Sequence, residues 1–432
     1  MTDATSSAIL DRLDAIRIWP YPRRVLIALG AAYFFAFYDV VNIGDALPVI
    51  EQQFDISSQT AAYAISIGLV GYVVGSLADA VVSDRIGRRP ALLLSVAMFT
   101  VGALIIALSG SFTMLLVGRF ITGMGIGAEI AAAAAYLNGI SPTRLRGNAG
   151  CRAVVWGYLG IAVTPFVALA LVPSFDAGWR VMFVIAAVGG LAIMPLRVAL
   201  PESPRWLLMT GNDDKALTLV EEAERFAAAQ GPPPPMPELE PALAPRRFWV
   251  TAALFLAVWL IYYVANYGWL TLAPTLLTHE GFSLTSSLSF LCVTGVGFLV
   301  GAIGAVRYSE RFERKLTISV GLLIFAGALI VIGLVPVAAV IMIFGFVVSA
   351  TIGFAVPLMY VNTAEQFSTQ LRARGVAIGD GVGHLGGAAA PLLILPAAAA
   401  GFFWGMGVMA LAGLLSAVLI LFGQRMTGRK IS

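Results

Sequence analysis

Long apolar runs separated by short polar phrases cover nearly the whole chain, and twelve of them reach about 20 residues. They lie near 24 to 50, 59 to 83, 90 to 109, 112 to 138, 148 to 172, 177 to 200, 247 to 273, 283 to 307, 315 to 335, 337 to 362, 373 to 396 and 398 to 424. Runs of that length suit helices that cross a bilayer. The pattern predicts an all-α membrane protein with twelve transmembrane helices.

The polar phrases repeat. Ser83-Asp84-Arg85-Ile86-Gly87-Arg88-Arg89 returns as Ser309-Glu310-Arg311-Phe312-Glu313-Arg314-Lys315, an offset of 226 residues (310 minus 84). The same offset carries Gly75 onto Gly301 and Leu145-Arg146 onto Leu371-Arg372. Shared spacing of this kind predicts a duplicated unit, and two homologous membrane halves are the sequence signature of a secondary transporter. The predicted organisation is an N-terminal segment 1–23, a six-helix bundle 24–200, a linker 201–246, a second bundle 247–424 and a tail 425–432. In the linker, Asn212 is a candidate cap for a short helix with Asp213 and Asp214 in its first turn, and Gly231 a candidate end. The prolines from Pro232 to Pro245 then predict an extended tether.

Composition supports the membrane reading. Charged residues are 12% of the chain, hydrophobic ones 59%, and mean hydropathy is +0.89. The net charge of +3 gives no case for a nucleic-acid partner, because the cations sit in loops. Segments on the side of the termini hold 23 of the 27 Lys and Arg residues, so both termini are expected in the cytoplasm and the protein in the plasma (inner) membrane. Cys151 and Cys292 have no metal-like spacing, and neither a metal, a cofactor nor thiol chemistry is expected. Gly118, Gly123, Gly125 and Gly127 in the fourth run, and Gly379, Gly381, Gly383, Gly386 and Gly387 in the eleventh, suit close helix approach.

A family resemblance rests on an ordered set of phrases. These are Asp84-Arg85-x-Gly87-Arg88-Arg89; Gly118-Arg119-x3-Gly123-x-Gly125-x-Gly127; Tyr136 followed by Ser141-Pro142-x-Arg144-x-Arg146-Gly147; Pro201-Glu202-Ser203-Pro204-Arg205-Trp206-Leu207; and Glu365 followed by Arg372 and Gly375. Together they resemble the major facilitator superfamily, in its sugar-porter and organic-ion-transporter branch. The resemblance implies two pseudo-symmetric six-helix bundles. It also implies a cytoplasmic gate of Asp84, Arg85, Arg88, Glu310, Arg311, Arg314, Glu365 and Arg372, with Asp84 near the start of helix 11 and Glu310 near the start of helix 5. Ala80, Gly139, Glu313 and Ser368 depart from the family pattern, which normally has a glutamate at the position of Gly139.

Ionisable groups at membrane depth are functional candidates by default. Asp39 and Arg119 differ in depth by about 6 Å, within reach of an arginine side chain. The resemblance matches Tyr38-Asp39 and Gly118-Arg119 to the proton-coupling pair of sugar porters, the plain alternative being a permanent structural ion pair. Glu129 stands about 80° round its helix from Arg119 and is expected in the coupling set or against a neighbouring helix. Asp380 and His384, four apart, share a face, and the resemblance makes the His384 position basic in anion carriers and acidic in cation carriers. Trp259, Tyr263 and Tyr267 form a stripe near Asn266. The expected substrate wall is Trp156, Tyr263, Asn266, Tyr267, Asp380 and His384.

The expected activity is proton-coupled secondary transport of a small organic metabolite, by a monomer. An organic acid ranks first, then an organic cation, then a sugar, with a proton-driven exporter as the rival. An enzyme is excluded by the lack of a nucleophile–base or metal set at membrane depth.

Overall fold

The computed structural model describes residues 3–231, 247–308, 311–368 and 371–427. These residues fold into α1 Asp3–Ala15, α2 Arg23–Phe54, α3 Ser58–Ala61, α4 Tyr63–Ile86, α5 Arg88–Ala107, α6 Phe112–Ile140, α7 Arg146–Leu171 and α8 Gly178–Val198. The linker region holds α9 Pro204–Met209 and α10 Asp213–Ala228. The second half holds α11 Phe248–His279, α12 Leu284–Tyr308, α13 Arg314–Leu334, α14 Ala338–Glu365, α15 Arg372–Val376, α16 Gly383–Ala399 and α17 Phe402–Ile420. Among the described residues, twelve helices or helix sets are long and apolar enough to span a membrane. No strand occurs among the described residues.

Polar residues set many of the helix starts. Ser111 accepts a bond from Met114 N, and Ser203 one from Trp206 N with Pro204 at the first helical position. Asn212 stands at the start of α10, but its amide turns back to Thr210 and leaves the cap unmade. The proline tract after Gly231 lies outside the described residues. Several helices run past their apolar cores: α2 continues to Phe54, where Asp55 closes it in the left-handed conformation at φ 50°.

The duplication is visible as matching packing. Gly71 and Gly75 of α4 lie against the backbone of Phe120 and Met124 of α6, while Gly297 and Gly301 of α12 lie against Phe346 and Ala350 of α14. Gly127 faces Tyr72 as Gly353 faces Phe298. Each partner in the second half is the first-half residue displaced by the same 226 positions (297 minus 71, 350 minus 124). Pro48 and Pro274, and Pro165 and Pro391, are intrahelical prolines at that offset too. Two six-helix bundles related by pseudo-symmetry result.

The bundles meet along α2–α11, α4–α16 and α7–α12. At the end away from the termini, Gly44 lies against the Thr271 backbone and the Ser66 hydroxyl donates to the Ala388 carbonyl at 2.7 Å. Ser58 bonds His279 Nε2 there at 3.0 Å. On the terminal face, α1 packs Ile9 and Leu13 into a small core with Val220 and Ala223 of α10. Arg12 donates to both oxygens of Glu224 at 3.0 and 2.7 Å.

Candidate functional site

Helix 11 of the sequence reading is not one regular helix. Between α15 and α16, residues Ala377–Val382 form a π-helical segment, and Asp380 lies within it. An inserted turn of this kind rotates side chains off the regular period and is often found at functional sites. Here Asp380 accepts hydrogen bonds from Tyr263 of α11 and from Tyr360 of α14, the latter at 2.7 Å. One turn on, His384 Nδ1 lies 2.7 Å from the Asp380 carbonyl oxygen. An acceptor there requires Nδ1 to carry the proton. Nε2 makes no hydrogen bond among the described residues and remains the face for a ligand.

Aromatic rings enclose that imidazole. Tyr72 stacks on it with centroids 3.8 Å apart and planes at 19°, Tyr263 lies at 4.1 Å and Tyr267 at 5.7 Å. Tyr72 comes from the first half and the other two from the second, so the cluster straddles the seam between bundles. His384 and Asp380 are 3% and 6% exposed. Asn266, buried on the same helix as Tyr263 and Tyr267, accepts from Tyr262 at 3.3 Å.

Asp39 and Arg119 form an ion pair at 2.6 Å, both buried, and Arg119 Nε also donates to the Ala64 carbonyl. The second oxygen of Asp39 has no hydrogen-bond partner among the described residues. A small cavity, with room for about one water molecule, is lined by Arg119 together with Tyr72 and Tyr267. It lies between Arg119 of the ion pair and two of the rings around His384.

Three expectations need correction. Glu129 is not part of the Asp39–Arg119 set: it pairs with Arg197 of α8 and accepts from Ser95 of α5 at 2.7 Å, wholly inside the first bundle. Helical angle separated it from Arg119, but only packing could show that α8 supplies its cation. Trp156 packs beside Gly30 of α2 and is half-exposed, so Tyr72 and not Trp156 is the first-half ring on His384. Tyr72 left no polar or charged signal in its apolar run. Asp84 does not reach the start of helix 11; it pairs with Arg88 one turn along and its backbone carbonyl accepts from Trp206.

Other gate residues make contacts within their own halves. Arg314 binds both oxygens of Glu365 at 2.6 Å. Arg372 donates to the Ala364 carbonyl, Arg311 lies over the Tyr308 ring at 5.4 Å, and Arg85 is exposed. Glu310 lies outside the described residues. In the first half, Arg205 pairs with Asp14 of α1 at 2.7 Å, and Glu202 receives the backbone N–H groups of Arg88 and Arg89 at the start of α5. Neither Asp14 nor Glu202 was marked by sequence reasoning, although Glu202 sits in the quoted 201–207 phrase.

A family model described as "Sugar (and other) transporter" matches residues 25–427. The chain belongs to that family. It is 25% identical to the niacin transporter NiaP of Acinetobacter baylyi over 98% of both chains, and 24% identical to the benzoate transport protein of the same organism over 88% of this chain and 84% of that one. A crystal structure of a D-xylose-proton symporter superposes with a TM-score of 0.75 at 18% identity, covering 94% of this chain and 99% of that one. This sugar-transporter-family protein is an integral membrane secondary transporter of the major facilitator fold, and not an enzyme.

Proposed function

We propose that the protein is a proton symporter that brings a small organic acid, best a planar aromatic carboxylate, into the cell across the plasma (inner) membrane. The observation that carries this reading is the His384 imidazole held between Tyr72 and Tyr263, with Nδ1 committed to the backbone and Nε2 free for a ligand. Protonated there, Nε2–H would meet a carboxylate with a charge-assisted bond while the tyrosine rings stack on an aromatic plane. The site offers few of the amides a sugar's hydroxyls would need, Asn266 being already engaged by Tyr262. The niacin and benzoate transporters among its relatives support the same substrate class.

The terminal face carries most of the cations and is taken as cytoplasmic, which makes the closed Ser58–His279 end the outer one. Asp39 takes up the coupling proton and releases it as Arg119 withdraws or returns, and the Arg119–Tyr72–Tyr267 cavity links that event to substrate. Asp84, Arg88, Arg314, Glu365 and Arg372 would then re-pair across the halves when the cytoplasmic side closes. The protein works as a monomer in this scheme.

The test is pH-gradient-driven uptake in proteoliposomes, screening nicotinate, benzoate, an amine and xylose. Accumulation of an aromatic carboxylate only with an inward proton gradient is expected. Asp39→Asn should exchange substrate without accumulating it, and His384→Ala should lose carboxylate transport by about tenfold or more, the scale of one charge-assisted bond. Gradient-independent accumulation, or preferential xylose uptake, would sink the reading.

A further inference from the structure

A second carboxyl at membrane depth is not used by this mechanism. Asp45 of α2 is 1% exposed, and neither of its oxygens has a hydrogen-bond partner among the described residues. It shares a helix face with Tyr38 and Asn42, seven and three residues earlier. The Tyr38 hydroxyl and both amide atoms of Asn42 are equally buried and equally unpartnered. Across the seam on α11, the Thr275 hydroxyl is in the same condition. Native interiors satisfy buried polar groups, so a cluster of unsatisfied ones on one face marks a place that meets water or a ligand in another state.

The location says which state. Gly44, the residue before Asp45, lies against the backbone of Thr271, one turn from Thr275, where the two halves are closed at the outer end. Asp39, six residues earlier, points about 240° round α2 toward Arg119, so the two carboxyls face different surroundings. The titratable groups around Asp45 are Tyr38 on its own helix and Cys292 on α12, both within reach of its charge. On α11, His279 stands one turn beyond Thr275 and is bonded to Ser58. From α7 the neighbour is Thr164, whose hydroxyl lies 3.5 Å from the Tyr38 carbonyl oxygen. Neither Asp45 oxygen takes a hydrogen bond from a cation among the described residues.

We infer that Asp45 is a second proton-binding site, separate from Asp39–Arg119, which takes a proton from the outer solution and must hold it for the outer end to close. An ionised carboxylate could not be buried there without a partner, whereas the neutral acid could. When the halves part, this face of α2 leaves α11 and α12, water reaches Asp45, and the proton returns to the outer side. One proton binds one carboxylate on closing and leaves it on opening, so the site gates without adding to the coupled charge. The inference rests on the orientation and alternating access proposed above.

The experiment reads conformation and not transport, so a wrong substrate cannot decide it. Spin labels at Asp176 and Ala400, exposed on outer loops of opposite halves, report outer closure in reconstituted Asp39→Asn protein with both native cysteines replaced by alanine. The closed population is expected to fall by about twofold or more between acid and mildly alkaline pH, as for a single-site population shift. Adding Asp45→Asn, which mimics the neutral acid, should keep the outer end closed across that range. Asp45→Ser serves the same purpose if the asparagine variant does not reconstitute. A closed population indifferent to pH before Asp45 is changed, a pH profile that survives its replacement, or closure that follows sodium concentration instead of pH would each overturn the inference.

Discussion

Glu129 and Arg197 are the most demanding side chains in the molecule. Both are fully buried in the first bundle, tied to each other and to Ser95, with no part in the seam between halves. Removing one partner of such a pair leaves an uncompensated buried charge, at a cost of about 3–5 kcal/mol, while replacing both with apolar residues is often neutral. Glu129→Gln is therefore expected to lower the melting temperature in detergent markedly, and Glu129→Leu with Arg197→Met to recover most of it. A thermal shift assay on the single and double variants checks this. Full stability of Glu129→Gln would argue that the pair is not structural. Both acids were visible in the sequence as membrane-depth charges, but their roles were not: Asp39 and Glu129 differ only in which helix stands opposite, and that depends on three-dimensional packing.

Among the elements, the α4–α6 and α12–α14 crossings matter most, because small residues let their backbones touch. Gly75 and Gly301 occupy equivalent places, facing the carbonyls of Met124 and Ala350. A leucine at either should cost about 1–3 kcal/mol or more through overpacking, and the two substitutions should behave alike. Equal losses of folded protein by size-exclusion chromatography would check the symmetry; a tolerant Gly301→Leu beside a damaging Gly75→Leu would contradict it. The 226-residue offset marks Gly75 and Gly301 as equivalent positions, but which helices cross there is not written in the sequence. The π segment at Ala377–Val382 had no such signature, because its six residues satisfy a helical pattern whether the turn is α or π.

At the scale of the whole molecule, the terminal face is held by a clasp of α1, α9 and α10 on the first bundle. Its key group is Asp14. Burial alone would push this carboxyl up, but hydrogen bonds from Arg205 and from Thr143 N outweigh it and hold Asp14 below the usual carboxylate range. A depressed folded value means the contribution is present at neutral pH, above the unfolded value near about 4. It is lost as pH falls through the lower folded value. Asp14→Asn should thus destabilise by about 1 kcal/mol at pH 7, as for a partly exposed pair, and the difference from wild type should vanish in strong acid. Unfolding curves at several pH values would show it; a constant difference would mean that the amide fails for steric reasons. Arg146, in the same region, is drawn down to about 10 by burial and then by Arg205 and Arg372, the last from the opposite half. Like charges facing across the seam oppose closure on this side.

The sequence by itself determined the twelve spans, the two-fold repeat, the family and the Asp39–Arg119 pair, because hydrophobic length, residue spacing and a charge at membrane depth are local properties of a chain in lipid. Only the tertiary structure decided that Tyr72 faces His384, that Arg197 takes Glu129, that Asp14 pairs with Arg205, and that Asp45 is buried with no hydrogen-bond partner among the described residues. Each of those is a meeting between helices distant in the chain, set by how bundles pack and where they close. No periodicity along one helix encodes which neighbour it will meet.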